Sequence, residues 1–267
     1  MTYIRVDDNV RLFVQDMGGA GRPVVLIPGF GMDHRVWARQ AENLSGTHRV
    51  LCIDQRGHGL SDKPYHGYEI AQLAQDLLTA LRRLDVNDCI LVGWSFGGQV
   101  AFRAAAEEPR RIARLALVSS NGVRASRSAD FPFGRLPEEL EGPLISAERS
   151  NQAAARRQTI SSGFRRTPDP QTLERLVQHS LAMPSWAAIA CYRSMLHTSL
   201  LADLPKVTMP VLQIIGADDP VHSTRGAHWL NEQLHDARLI ELDGCGHYPM
   251  IESAQEFDAA LAHFVSA

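Results

Sequence analysis

Cysteine is scarce in this chain of 267 residues, with four copies scattered at Cys52, Cys89, Cys191 and Cys245. No CxxC pair and no Cys/His metal spacing occurs, which argues against a disulfide framework or a structural zinc site. Two of the four lie in apolar, strand-like runs, so buried free thiols in a reducing cytoplasm are the expectation. Charge of one sign is also lacking: 27 Lys and Arg against 30 Asp and Glu leave a net charge of -3. That balance gives no reason to expect nucleic acid or an anionic membrane as partner. No window approaches ~18 uninterrupted apolar residues, so no membrane span is expected. Met1 to Asp8 has no basic stretch followed by an apolar one, and no signal peptide is expected there. There is no GxGxxG after the first strand and no Walker motif, so no nucleotide, flavin or metal is implied as cofactor. Internal repeats and low-complexity tracts are missing as well.

What is present is 45% hydrophobic residues, enough for one large domain with an inserted subdomain. Tyr3 to Val6 and Val10 to Met17 read as short strands joined by Asp7-Asp8-Asn9. Further strands are expected at Pro23 to Ile27, Arg49 to Ile53, Cys89 to Val92, Arg114 to Ser119, Pro210 to Ile215 and Arg238 to Leu242. Between Tyr68 and Leu84, Ile70, Leu73, Leu77, Leu81 and Leu84 recur at spacings of three and four, which predicts one amphipathic helix. A last helix opens on a capping-box pattern, Ser253 to Glu256. The alternation breaks between about Asn121 and Val207, where only helices are expected, around Leu144 to Ile160, Gln171 to Leu181 and Ser185 to Leu196. Alternating strands and helices mean an α/β chain with a mostly parallel central sheet flanked by helices. The division expected is a core of residues 1–120 and 208–267, with residues 121–207 as a helical lid over the strand ends.

One stretch carries chemistry. Gly93-Trp94-Ser95-Phe96-Gly97 follows the apolar run Cys89 to Val92 directly and precedes a helix rich in small residues. Small residues two positions either side of a serine permit a tight turn that exposes the hydroxyl beside a helix N-terminus. Serine attacks at neutral pH only with a base, and the base needs an orienting acid. Two later strands end in suitable groups: Gly216-Ala217-Asp218-Asp219-Pro220 and Asp243-Gly244-Cys245-Gly246-His247. The order Ser, Asp, His is that of the α/β-hydrolases.

On these residues the chain resembles the α/β-hydrolase superfamily from Val10 to the C-terminal helix. Pro28-Gly29-Phe30-Gly31, Asp54 to Ser61, Gly93 to Gly98, Gly216 to Asp219 and Gly246-His247 carry the likeness. The resemblance implies the α/β-hydrolase fold, Ser95 as nucleophile, His247 as base and Asp219, rather than Asp218, as the acid. Backbone N–H groups of Phe96 and Phe30 would form the oxyanion hole. Relatives often have His-Gly where this chain has Pro28-Gly29, a change that backbone donors tolerate. Asp54 would brace its own turn, with His58 structural. A serine at 95 argues against the dehalogenases and epoxide hydrolases of this fold, which use a carboxylate there.

The implied activity is cleavage of an ester, lactone or related acyl bond. An apolar or aromatic small molecule is the expected substrate, with Trp94, Trp186 and Gly29 as candidate binding residues. Phe30 to Trp37 and Arg56 to Ser61 are also similar to cofactor-free dioxygenases that open 3-hydroxy-4-quinolone rings. In that group the acid follows the strand that here ends in Ser119-Ser120. Cofactor-free haloperoxidases share a similar Asp-x-Arg-Gly-x-Gly, and some hormone receptors use the fold only to bind. His222, His228 and His235 are read as surface residues, their spacing being poor for a shared metal. Arg156-Arg157 and Arg165-Arg166 are read as a solvated helix face, with an acidic substrate or carrier as the alternative.

Overall fold

Short apolar runs bounded by turn residues become the strands, and the longer periodic segments become the helices, in a computed structural model that describes residues 1–267. The strands are β1 (Thr2–Asp7), β2 (Val10–Asp16), β3 (Val24–Ile27), β4 (Val50–Ile53), β5 (Cys89–Trp94), β6 (Ile112–Val118), β7 (Val211–Gly216) and β8 (Ala237–Leu242). They form one sheet in the order β1-β2-β4-β3-β5-β6-β7-β8. Only the pairs β1–β2 and β2–β4 are antiparallel; from β4 to β8 every pair is parallel. The central strands β3, β4, β5 and β7 are buried along their whole length, as a sheet covered on both faces requires.

Residues alternate between two cores, one on each face. Val25, Ile27 and Leu91 point to the face covered by α2 (Ile70–Arg83) and α3 (Phe96–Glu107). Val24, Leu26, Ile90 and Val92 point to the other, which α1 (Ala38–Ser45) and α10 (Ala254–Ser266) cover through Leu44, Phe257 and Leu261. The stripe Ile70, Leu73, Leu77 and Leu81 of α2 is buried as its spacing predicts. Truncating one such leucine to alanine removes about 2–5 kcal/mol of stability. Helix α3 ends at Glu107, just ahead of Pro109.

Between β6 and β7 the chain leaves the sheet for α4 (Pro137–Ser150), α5 (Gln152–Gly163), α6 (Pro170–Leu181) and α7 (Ser185–His197). Two expectations change here and at the C-terminus. The segment Leu144 to Ile160 is two helices, because Asn151 turns extended and its side chain accepts from Ala154 N–H at 3.0 Å, opening α5. Ser253 makes no capping hydrogen bond from its side chain; a short helix, α9 (Pro249–Glu252), precedes α10 instead, so the capping box does not form. The remaining helix, α8 (Thr224–Gln233), links β7 to β8. No helix is long and apolar enough to cross a membrane.

Because β3, β5, β6, β7 and β8 run in one direction, the loops after Ile27, Trp94, Val118, Gly216 and Leu242 all leave the same edge of the sheet. This brings segments more than a hundred residues apart to one place.

Candidate active site

At the end of β5 the backbone bends sharply. Ser95 has φ +53° and ψ -118°, and α3 begins at the next residue. A non-glycine residue held there costs on the order of 1–3 kcal/mol and persists only when its surroundings enforce it. They do so at close range: a Cβ on Gly93 would lie 2.7 Å from Gly98 Cα. Ser95 N–H donates to Val118 O at 2.9 Å, and Ser120 Oγ donates to Ser95 O at 2.8 Å. The hydroxyl is thereby aimed along the sheet edge.

There it meets His247. Its Oγ lies 2.9 Å from His247 Nε2, and His247 Nδ1 lies 2.9 Å from Asp219 Oδ2 and 3.2 Å from Oδ1. Asp218 points outward and pairs with Arg165 at 2.9 Å. Burial alone would raise the Asp219 pKa, but the charge and hydrogen bond of His247, with help from His222, outweigh it and hold the carboxyl below its usual range. The N–H groups of Val221 and His222 also donate to Asp219 Oδ1, at 2.8 and 3.0 Å. An ionised, fixed carboxylate on Nδ1 leaves Nε2 as the lone pair that faces the serine. Ser95 and His247 are each only 6% exposed.

Two backbone donors stand by. Phe96 is the first residue of α3, so its N–H has no partner within the helix. Neither it nor the Phe30 N–H donates to any carbonyl of the protein. The Phe30 ring is held from two sides, stacked on Tyr192 of α7 at 4.3 Å and covered by the Arg156 guanidinium at 5.1 Å.

Arg156 departs from its expected place on a solvated helix face. It is 1% exposed. Its guanidinium grips both oxygens of Glu148 at 2.8 and 2.9 Å, and a further nitrogen donates to Ser180 Oγ at 2.8 Å. A Cβ on Gly31, where φ is +70°, would stand 2.9 Å from Arg156 Nη1, so the arginine packs against both Phe30 and Gly31 of the loop after β3. The hint in the sequence is position: Arg156 precedes Ile160 by one helical turn, on the buried face of α5. Arg157 and Arg165 do lie at the surface, paired with Glu174 and Asp218.

The remaining candidates divide. Trp94 is buried under His247: its Nε1–H donates to His247 O at 2.9 Å and its ring lies 5.6 Å from the imidazole. Gly29 is where that indole needs room, since a Cβ there would meet it at 2.9 Å. Trp186 is 44% exposed, its ring beside Tyr65, and it is not among the rings packed on His247. His222 corrects a second surface assignment: it is buried, with its ring 5.6 Å from that of His247. The insertion also reaches His247 directly, through His247 N–H to Gly163 O at 2.8 Å. Glu252, which the sequence did not single out, accepts from the N–H groups of Arg165, Gly246 and Tyr248.

Asp54 braces more than its own turn, accepting from Leu60 N–H and from both the N–H and the imidazole of His34. Asp33, His34 and Asp54 lie close enough to share a metal ion. Their ligand atoms are already engaged, however: Arg35 takes both oxygens of Asp33, and His34 takes Asp54. The cluster works as a brace between loops. The strand end that would carry the acid of a ring-cleaving dioxygenase holds Ser119, Ser120 and Asn121, without a carboxylate.

Comparison with known proteins agrees with this architecture. The model of the alpha/beta hydrolase fold family matches residues 22–254. The chain is 30% identical over 250 residues to the pimeloyl-[acyl-carrier protein] methyl ester esterase of Nitrosomonas europaea, covering 90% of this chain and 94% of that one. Among solved structures, an esterase from Exiguobacterium antarcticum superposes with a TM-score of 0.95 at 23% identity, covering 100% of this chain and 99% of the other. The enol-lactonase from Burkholderia xenovorans LB400 superposes with a TM-score of 0.87 at 26% identity over 100% of both chains.

Proposed function

We propose, from the premise that this chain belongs to the alpha/beta hydrolase fold family, that it is a serine hydrolase. Its substrate is a carboxylic ester, lactone or related acyl compound of an apolar or aromatic small molecule. The observation that carries the reading is the unbroken series of contacts Ser95–His247–Asp219, each 2.9 Å long. Relatives named as a methyl ester esterase and an enol-lactonase support acyl-bond cleavage as the class.

In this reading His247 Nε2 takes the proton of Ser95 as Oγ attacks the carbonyl carbon, and Asp219 stabilises the imidazolium. The carbonyl oxygen gains charge and is met by the Phe30 and Phe96 N–H groups. As the tetrahedral intermediate collapses, His247 gives its proton to the leaving oxygen and the acyl group stays on Ser95. His247 then deprotonates a water that attacks the acyl-enzyme, and the acid departs as Ser95 regains its proton. Residues 121–207 act as the lid, with α5 and α7 fixing the Phe30 side of the site.

The test is a panel of esters and lactones run beside an oxygen electrode. Turnover without oxygen uptake, lost on Ser95→Ala by about a thousandfold or more, is expected. Activity retained in that variant, or oxygen consumed with a hydroxyquinolone, overturns the reading.

A further inference from the structure

His247 stands on a loop, between the end of β8 and the start of α9. Asp219 orients its imidazole through Nδ1, while the backbone that carries the imidazole is held by other groups. Glu252, the last residue of α9, is chief among them. Its Oε1 accepts from the N–H of Gly246 and from the N–H of Tyr248, each at 3.1 Å. Those two amides bracket His247 in the chain, so a single oxygen sets how the residue between them is turned. The second oxygen, Oε2, accepts from Arg165 N–H at 2.7 Å, just beyond the end of α5. None of the three N–H groups donates to a backbone carbonyl. A carboxylate accepts several such bonds at once, and holds each more strongly than a neutral acceptor does.

The two segments that Glu252 joins approach closely. A Cβ on Gly246 would lie 2.5 Å from Arg165 N, 2.7 Å from Gly163 O and 3.0 Å from Glu252 Oε1. Phe164 stacks on Tyr248, with ring centroids 4.2 Å apart and planes 6° from parallel. Gly163, Phe164 and Arg165 thus all dock on the histidine loop, and the Glu252 carboxylate bonds to both segments. The distance this arrangement guards is short: His247 Nε2 stands 2.9 Å from Ser95 Oγ. A displacement of about 1 Å at a reacting group can cost on the order of a hundredfold in rate.

Resting on the hydrolase reading, we propose that Glu252 is a positioning residue. It clamps the His247 loop to the end of α5, and so keeps Nε2 within hydrogen-bond reach of Ser95.

The test is the rate at which a fluorophosphonate labels Ser95, read beside hydrolysis of p-nitrophenyl acetate. Glu252→Ala should slow labelling by about ten- to hundredfold. It should lower kcat by a similar factor, with KM changed by less than about threefold. Glu252→Gln, whose carbonyl oxygen still accepts from Gly246 and Tyr248, should recover most of both rates. Glu252→Asp, one methylene short of the bracket, serves if the alanine variant does not fold. In a His247→Ala background, Glu252→Ala should change labelling by less than about twofold, since no imidazole is left to place. A loss of stability alone would act equally in both backgrounds. Labelling of Glu252→Ala at the wild-type rate, or equal slowing with and without His247, overturns the assignment and leaves the hydrolase reading standing. Wild type that is not labelled at Ser95, or is labelled at a rate independent of His247, overturns both.

Discussion

Along the sheet edge, Ser95, Asp219 and His247 follow the ends of three strands whose relative register is fixed by the ladder. On the side of the insertion, the Phe30 loop is held by side chains: the Arg156–Glu148 pair, Ser180 and the Tyr192 ring. The first arrangement uses small residues and backbone bonds, which tolerate little substitution, and its one buried carboxylate, Asp219, is held by the N–H groups of Val221 and His222 and by His247. The second buries a full ion pair. Such a pair adds little net stability over apolar residues of equal volume, yet it is costly to break from one side only. The site is therefore rigid by geometry on one side and by charge on the other.

The largest effect that separates the two sides should come from the acid. Asp219→Asn preserves shape but favours the wrong tautomer of His247, and kcat should fall by about 10³- to 10⁴-fold with the melting temperature little changed. Asp218→Asn, its exposed neighbour, should change kcat by less than about threefold because it loses only a surface pair with Arg165. Equal losses in both variants would contradict the assignment of Asp219.

Breaking the insertion's side comes next. Glu148→Ala leaves the buried Arg156 guanidinium uncompensated and should cost about 3–5 kcal/mol in denaturant unfolding. The double replacement Arg156→Met with Glu148→Leu should recover most of that stability. Because it frees the Phe30 ring, it should still lower kcat, by about tenfold for a loosened oxyanion donor. Full recovery of both stability and kcat would show that the ion pair does not position Phe30.

The smallest effect is on pH dependence. His58 and His222 are both pushed down to about 4 by burial, so each is neutral when folded and protonates more readily when unfolded. The unfolded chain then binds more protons, and their contribution to stability, complete above about pH 6.5, is lost as pH falls toward 4. Asp219, also depressed, adds a loss only at lower pH, below the ordinary carboxylate range. Urea unfolding at pH 7 and pH 5 should show this drop, and it should be shallower in His222→Phe. An unchanged slope in that variant would place the His222 ring in solvent.

How far the sequence discloses this arrangement depends on the kind of force involved. Period and turn residues reveal the strands, α2 and the serine turn, because these are local: Gly93 and Gly97 flank Ser95 in the chain itself. The mostly parallel sheet follows from the alternation, and the loops bearing Asp219 and His247 follow from strand ends. What stays hidden is contact across the insertion. Arg156 sits beside Arg157 in sequence, and only the fold sends one into Glu148 and the other to the surface. His222 fails as a surface residue for the same reason, its neighbour His247 being supplied by a different strand. Trp186, chosen for its aromatic ring, stands half-exposed beside Tyr65 at the start of α7, while the next two residues, Ala187 and Ala188, are buried.

The most direct measurement is to treat the protein with a fluorophosphonate and map the adduct by peptide mass. Stoichiometric modification of Ser95 is predicted, slowed by about a thousandfold or more in His247→Ala, where the hydroxyl loses its base. Modification at another residue, or a rate at Ser95 that does not depend on His247, would contradict the linked proton-transfer chain.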